Sequence, residues 1–406
     1  MKEEIKKRIG VIRSGEAPDG YVSTEYGVFP SHWRLAELRE IAQPLTDTVG
    51  TRKIETVSIS AGIGFVNQAE KFGKELSGKQ YEKYIVLHRG DFSYNKGNSN
   101  LYPQGCIYRL NDREIAAVPN VFESFRIVNG DPDYYEQLFL SGFLNHQLFR
   151  KINHGVRDDG LLNLTDTDFY SCVLPVPPIE EQHRIAEILS ACDRMLALHQ
   201  ETLSEAKEMK KSFLNKMFPK DGACYPELRF VGFTGAWEQR KVSDVAPLQR
   251  GFDLPASQMK DGPYPVVMSN GVGGYHSEYK IKGPGVITGR SGTIGKFHYI
   301  EGNYWPHNTS LWVTDFKGNY PRFIFHMYQG LDLSQYGSGS GVPTLNRNDV
   351  HDAKVYIPVI EEQRGISSFL DNLDALITLH QREVELQQNK KKALMQLLLT
   401  GFVPIS

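Results

Sequence analysis

The chain has 406 residues, 40% of them hydrophobic and 11% aromatic, enough to bury roughly two or three ordinary cores. Its formal net charge of -2 and pI of about 6.6 exclude the global basic footprint of an isolated nucleic-acid binder. No apolar run approaches the ~18 residues of a membrane span; the four cysteines lack a Cys-x-x-Cys pair, which excludes the usual zinc spacing and a disulfide framework and makes a reducing cytoplasm the expected compartment.

In chain order, residues 1–29 form an N-terminal segment whose "MKEEIKKRIGVIRSG" is charged and lacks the apolar stretch of a secretory signal. A first globular domain is expected over 30–176. It mixes short β-branched strands such as "YIVLH" (84–88) with a helical stretch, "YYEQLFLSGFLNHQLFRKI" (134–152), and frequent turn residues. A long helix is expected over 177–218 and a second globular domain over 219–357, with strands such as "SLWVTDF" (310–316). A second long helix over 358–400 and a tail of 401–406 complete the chain. The mixture of elements in the domains points to an α+β class.

Within the second domain, "GVITGRSGTIGKFHY" (285–299) resembles a phosphate-cradling loop. The likeness fails on three counts: Gly289 and Gly295 stand one residue too far apart, Phe297 replaces the magnesium-binding hydroxyl, and a strand-like run follows where a helix is needed. A Gly-rich hairpin is the expected structure.

The chain is a tandem duplication. "VPPIEEQHRIAEILSACDRMLALHQ" (176–200) aligns without a gap on "IPVIEEQRGISSFLDNLDALITLHQ" (357–381), at an offset of 181 (358 less 177). Upstream, Leu164 and Asp168 keep this offset with Leu345 and Asp349, "GDFSYNKG" (90–97) matches "GVITGRSG" (285–292) at 195, and Trp33 matches Trp237 at 204. A monotonic drift is what two copies with surface-loop deletions produce.

Each long helix starts after a Pro-bearing extended segment with two Glu in its first turn, favourable to the macrodipole. Positions spaced by four and three run through Ile185, Leu189, Cys192, Leu196, His199, Leu203, Ala206, Lys210, Phe213 and Met217, and through Ile366, Leu370, Leu373, Ile377, His380, Val384, Gln387, Lys391, Leu394 and Leu398. This is a coiled-coil seam. Parallel and antiparallel pairing are both sterically open, and the duplication favours antiparallel, a rod of ~60 Å for helices of ~40 residues. His199 and His380 are expected as a polar layer fixing register.

Catalytic motifs fail in turn. "DPDY" (131–134) departs from the methyltransferase motif at Asp133, no Gly-x-Ser-x-Gly or His-Glu-x-x-His occurs, and "RDDG" (157–160) offers paired acids that could hold magnesium, but the second copy has Gly and Ser in that region and a turn with exposed acids is expected. No catalytic or metal-ligating residue is assigned.

The repeated Pro-x-x-Glu-Glu-Gln helix start, "TGRSGTIG" followed by "WPHNTSLWV", and "YNKGNS" with "GLLNLTDTDF" resemble the specificity subunits of Type I restriction–modification systems over nearly the whole chain. The resemblance implies two target-recognition domains, each reading half of an interrupted DNA sequence, and an antiparallel helix pair that spaces them and docks two modification subunits, with restriction subunits outside. It implies a non-catalytic chain that binds no cofactor itself, S-adenosylmethionine, ATP and magnesium being held by the partners, in the cytoplasm and away from membranes.

Base readout favours Arg or Lys on guanine and Asn or Gln on adenine. The candidates are Tyr94, Asn95, Lys96, Asn98, Ser99 and Arg157 in the first domain, and Ser269, Asn270, Arg290, Ser291, His307, Asn308, Tyr336 and Ser338 in the second. Each is also a residue that a turn can use for its own backbone. Glu180, Glu181, Gln182, Glu361, Glu362 and Gln363 are the candidate docking residues. A protein-binding scaffold without DNA contact and a diverged methyltransferase are the rival readings.

Overall fold

The computed structural model describes residues 3–68, 78–97, 101–152, 161–220, 222–331, 333–338 and 344–403. The chain folds as two compact units, one of residues 1–198 with 384–406 and one of residues 199–383. Each unit therefore holds one globular region, half of its own long helix and half of the other.

In the first unit, strands β1 (Ala42–Pro44), β2 (Phe92–Asn95), β3 (Cys106–Arg109) and β4 (Glu123–Ile127) form an antiparallel sheet of order β1-β4-β2-β3. In the second, β5 (Leu248–Arg250), β6 (Gly285–Gly289), β7 (Phe297–Ile300) and β8 (Ser310–Val313) form an antiparallel sheet of the same permuted order, β5-β8-β6-β7. The duplication read from the sequence is thus a duplication of strand connectivity. The hairpin expected at 285–299 is β6 paired with β7 from Gly285↔Ile300 to Thr288↔Phe297. The expected 134–152 helix is divided into Pro132–Leu140 and Asn145–Lys151. Gly142, at φ +76°, makes the break between them, in a conformation that glycine adopts without strain.

The long helices run Ile179–Met217 and Ile360–Leu398. All twenty seam positions are buried or half-buried and none is exposed. Within the first unit, Lys391 donates to Asp193 while Leu398 packs with Ile185 and Leu189. Within the second, Lys210 Nζ donates to Asp374 Oδ1 at 2.6 Å and Phe213 meets Phe369 edge to face at 4.7 Å. Numbers rise on one helix as they fall on the other, so the pairing in each unit is antiparallel. Lys210 and Lys391 are copies of one another, as are Asp193 and Asp374. The lysines that interrupt the apolar seam therefore carry the same ion pair twice.

The Glu-Glu-Gln helix start ties each helix to its domain. Trp33 Nε1–H donates to Glu181 Oε2 at 2.9 Å, and His32 Nε2 lies 3.1 Å from the same oxygen. In the copy, Glu362 receives Arg229 bidentately at 2.7 and 2.8 Å and Trp237 Nε1–H at 3.3 Å. Gln182 accepts from Asp131 N and donates to Pro177 O; Gln363 accepts from Tyr320 N and donates to Pro358 O. Buried polar groups with partners at both ends fix one geometry.

The elements of the N-terminal segment escaped the sequence reading. The N-terminal segment contains a helix, Glu3–Arg13, whose Ile9 and Ile12 are buried, and a hairpin of Tyr21–Thr24 with Gly27–Pro30. A groove lined by Lys6, Ile9, Gly10 and Arg13 faces Ala393, Gln396 and Leu397, and Tyr21 Oη donates to Gly401 O at 2.8 Å.

Candidate nucleic-acid interface

In the first unit the predicted residues separate. Tyr94 belongs to the core and not to a reading surface: its side chain is fully buried, its ring stacks on Phe169 at 4.8 Å, and its hydroxyl donates to Gln104 O at 2.7 Å. Every residue of β2 except Asn95 is buried, so the tyrosine extends the apolar layer. Asn95 is half-buried, accepting from Gly97 N at 2.8 Å and donating to Ile59 O at 3.3 Å. Lys96 Nζ donates to Asp166 at 2.9 Å and lies 3.7 Å from Glu123. That hydrogen bond lowers the Asp166 carboxyl, while burial raises that of Glu123. Asn98, Ser99 and Arg157 lie outside the described residues.

The second unit brings most of its candidates together. Arg290 follows β6 and is pinned at both backbone groups, its N–H donating to Thr309 O at 2.9 Å and its carbonyl accepting from Leu345 N at 2.7 Å. The turn needs glycine at 289, where a Cβ would stand 1.7 Å from Thr293 O. Ser291 bridges to Thr344, and Gly337–Ser338 pairs with Thr344–Leu345. His307 Nδ1 lies 2.9 Å from Thr309 Oγ1, and Asn308 Nδ2–H donates to Asp253 Oδ1. Exposed Asn270 accepts from Lys296 Nζ through its carbonyl, next to half-buried Ser269. Tyr336 stands apart, half-buried against the core and lining a cavity with Phe218 and Tyr356.

The sequence reading missed the neighbours of Arg290. A cleft of about 600 Å³ is lined by Gln249, Arg250, Arg290, Asn346 and Arg347, among others. The end of β5 reaches it through Gly251, whose position a Cβ could not share with the carbonyls of Pro306 and His307 at 2.4 and 2.2 Å. Arg250 is held by Asp253 at 3.0 Å. Among the described residues, neither Arg290 nor Arg347 has a carboxylate partner at ion-pair distance. Three guanidinium groups in one concave surface suit an anionic or guanine-bearing ligand.

A family model described as "Type I restriction modification DNA specificity domain" matches residues 61–208 and again 235–388. The chain belongs to this family. The putative type I restriction enzyme MjaX specificity subunit of Methanocaldococcus jannaschii is 22% identical over 446 residues, covering 95% of this chain and 97% of that protein. The type I restriction enzyme EcoprrI specificity subunit of Escherichia coli is 31% identical over 114 residues, 28% of each chain. A crystal structure of a Type-I restriction-modification system S subunit from M. genitalium shares the fold, with a TM-score of 0.57 at 15% identity and coverage of 92% of this chain and 96% of that one.

The two matched specificity domains contain the Asn95–Lys96 region and the arginine cleft respectively. Of the residues expected to dock partners, Glu181, Gln182, Glu362 and Gln363 are buried and taken up by the internal bonds described above, and only Glu180 and Glu361 are exposed. The helix start holds the specificity domain to the helix instead. His326, Asp371 and Asp374 form a cluster with ligand atoms within 4.8 Å of one another. Lys210 at 2.6 Å from Asp374 and Arg322 at 3.6 Å from Asp371 already neutralise it. Among the described residues no helix is long and apolar enough to cross a membrane.

Proposed function

We propose that this chain is the DNA-reading subunit of a Type I restriction–modification assembly, each specificity domain reading one part of an interrupted duplex target. The observation that carries the reading is a shared sheet order whose polar tips differ: Asn95 and Lys96 in the first domain stand where Arg290 and Ser291 stand in the second. A common frame with different donors is what two distinct half-sites require.

The chain is non-catalytic in this reading, in line with the failed catalytic motifs. Two modification subunits bring S-adenosylmethionine and methyl transfer, restriction subunits bring ATP- and magnesium-dependent cleavage, and the assembly works in the cytoplasm. Docking falls to exposed apolar pairs that recur on the long helices, Met195 with Leu198 (49% and 60% exposed) and Leu376 with Leu379 (39% and 54%). Each pair is the copy of the other at the offset of 181, so one partner type can engage both.

The test is selection from random duplexes by the complete chain assembled with its modification subunits. An enriched motif of two short parts separated by unspecified bases is expected. No enrichment would leave the scaffold reading standing, and methyl transfer by the chain alone would favour the diverged methyltransferase.

A further inference from the structure

We infer that the second specificity domain reads guanine edges through Arg250, Arg290 and Arg347, so that its half of the target holds at least one G·C pair; this rests on the DNA-reading role proposed above. The arginines come from three separate segments: the end of β5, the turn after β6, and the first residue of the short helix Arg347–His351. All three line one cleft with the neutral hydrogen-bonding side chains Gln249 and Asn346. A guanidinium presents its donors as a rigid fork that matches the N7 and O6 acceptors of guanine in the major groove.

A phosphate could also satisfy guanidinium groups, but two features favour a base. Asp253 lies beside the cleft, 3.0 Å from the lining residue Arg250, and also receives the amide of Asn308. Its carboxylate disfavours a phosphate next to Arg250 while leaving the rest of that guanidinium free to donate. The backbone of Arg290 is fixed, both of its groups being bonded to neighbouring segments, so the side chain starts from one defined place, as directional base readout demands.

The first domain is built differently at the same places. The counterpart of Arg290 is Asn95, and that of Arg347 is Asp166, whose carboxylate is bound by Lys96. The two domains therefore present different hydrogen-bonding groups on one strand order, and the guanine reading is assigned to the second.

The experiment uses the full chain assembled with its modification subunits, carrying Arg290→Lys, Arg290→Ala, Arg347→Lys or, as a first-domain comparison, Asn95→Ala. Each is subjected to selection from random duplexes and to affinity measurement across salt, after thermal unfolding has shown wild-type stability. At Arg290 or Arg347, lysine keeps the charge and removes the fork. The expected result is a loss of about tenfold or more in discrimination at one G·C pair in one half-site with Arg290→Lys or Arg347→Lys, with the other half unchanged. The inference is overturned if the lysine variants keep the wild-type motif while Arg290→Ala weakens all sequences equally and flattens the salt dependence, which identifies a phosphate contact. It is equally overturned if no half-site altered by these variants contains a G·C pair, or if none of them changes the motif. A wild-type complex that selects no two-part motif would remove the underlying DNA-reading proposal as well, and is distinguishable from the other outcomes on that ground.

Discussion

Tyr94, in strand β2, and Arg290, just after β6, come from corresponding segments of the two copies, and both carry side chains common in nucleic-acid interfaces, yet only one is available. The Tyr94 ring fills the core and its hydroxyl is spent on Gln104 O. Tyr94→Phe should lower stability by about 0.5–1.5 kcal/mol, the loss of one hydrogen bond, and leave DNA selectivity unchanged; denaturant unfolding and duplex selection check the two halves of that expectation. His298 supplies a pH signature. Burial, assisted by Lys296, holds its pKa below the ordinary value of 6.5, and its Nε2 is buried without a hydrogen-bond partner among the described residues. The fold therefore prefers neutral imidazole, and this contribution is complete above the ordinary value and lost as pH falls through the depressed one. The thermal midpoint of wild type should fall more steeply than that of His298→Phe between about pH 7 and 5; parallel curves would remove the histidine from the account.

At the scale of elements, the Glu-Glu-Gln start shows how far a motif can be read. Its two acids in a first helical turn mark a helix beginning, and both long helices begin two residues after the expected starts of 177 and 358. The division of labour between the two glutamates is not legible, because it depends on Trp33 and Trp237, far upstream in the chain. Glu362→Ala should destabilise by about 3–5 kcal/mol by stranding Arg229 beside Trp237, whereas exposed Glu361→Ala should stay within about 0.5 kcal/mol; equal effects in chemical denaturation would refute the clamp. The seam was legible for a different reason. A spacing of four and three is a local property of one helix, whereas the Lys210–Asp374 and Lys391–Asp193 pairs were not legible, since nothing within one helix shows what its lysines meet on the other. The arginine cleft was not legible, since Arg250, Arg290 and Arg347 come from segments far apart in the sequence that meet only through the sheet order and the bond of Leu345 to Arg290. Sequence reasoning found the one arginine lying in a conspicuous glycine-rich turn and passed over the two with unremarkable neighbours.

For the whole molecule, duplication and charge have to be reconciled. A chain with net charge of -2 gains little from a global field, so in the proposed reading its DNA affinity comes from local clefts and from phosphate contacts that other subunits add. In the reading proposed above, two specificity domains with different side chains on one strand order provide the sequence information, and the recurring exposed pairs Met195–Leu198 and Leu376–Leu379 offer two equivalent places for partner subunits. The central claim is that this chain alone dictates which DNA sequence its assembly modifies. It is tested most directly by mapping N6-methyladenine across the genome of the native strain and of a strain lacking only this chain. Loss of methylation at one interrupted two-part motif, restored when the chain is supplied again, is the predicted result; an unchanged methylation pattern in a host whose modification subunits are active would contradict it.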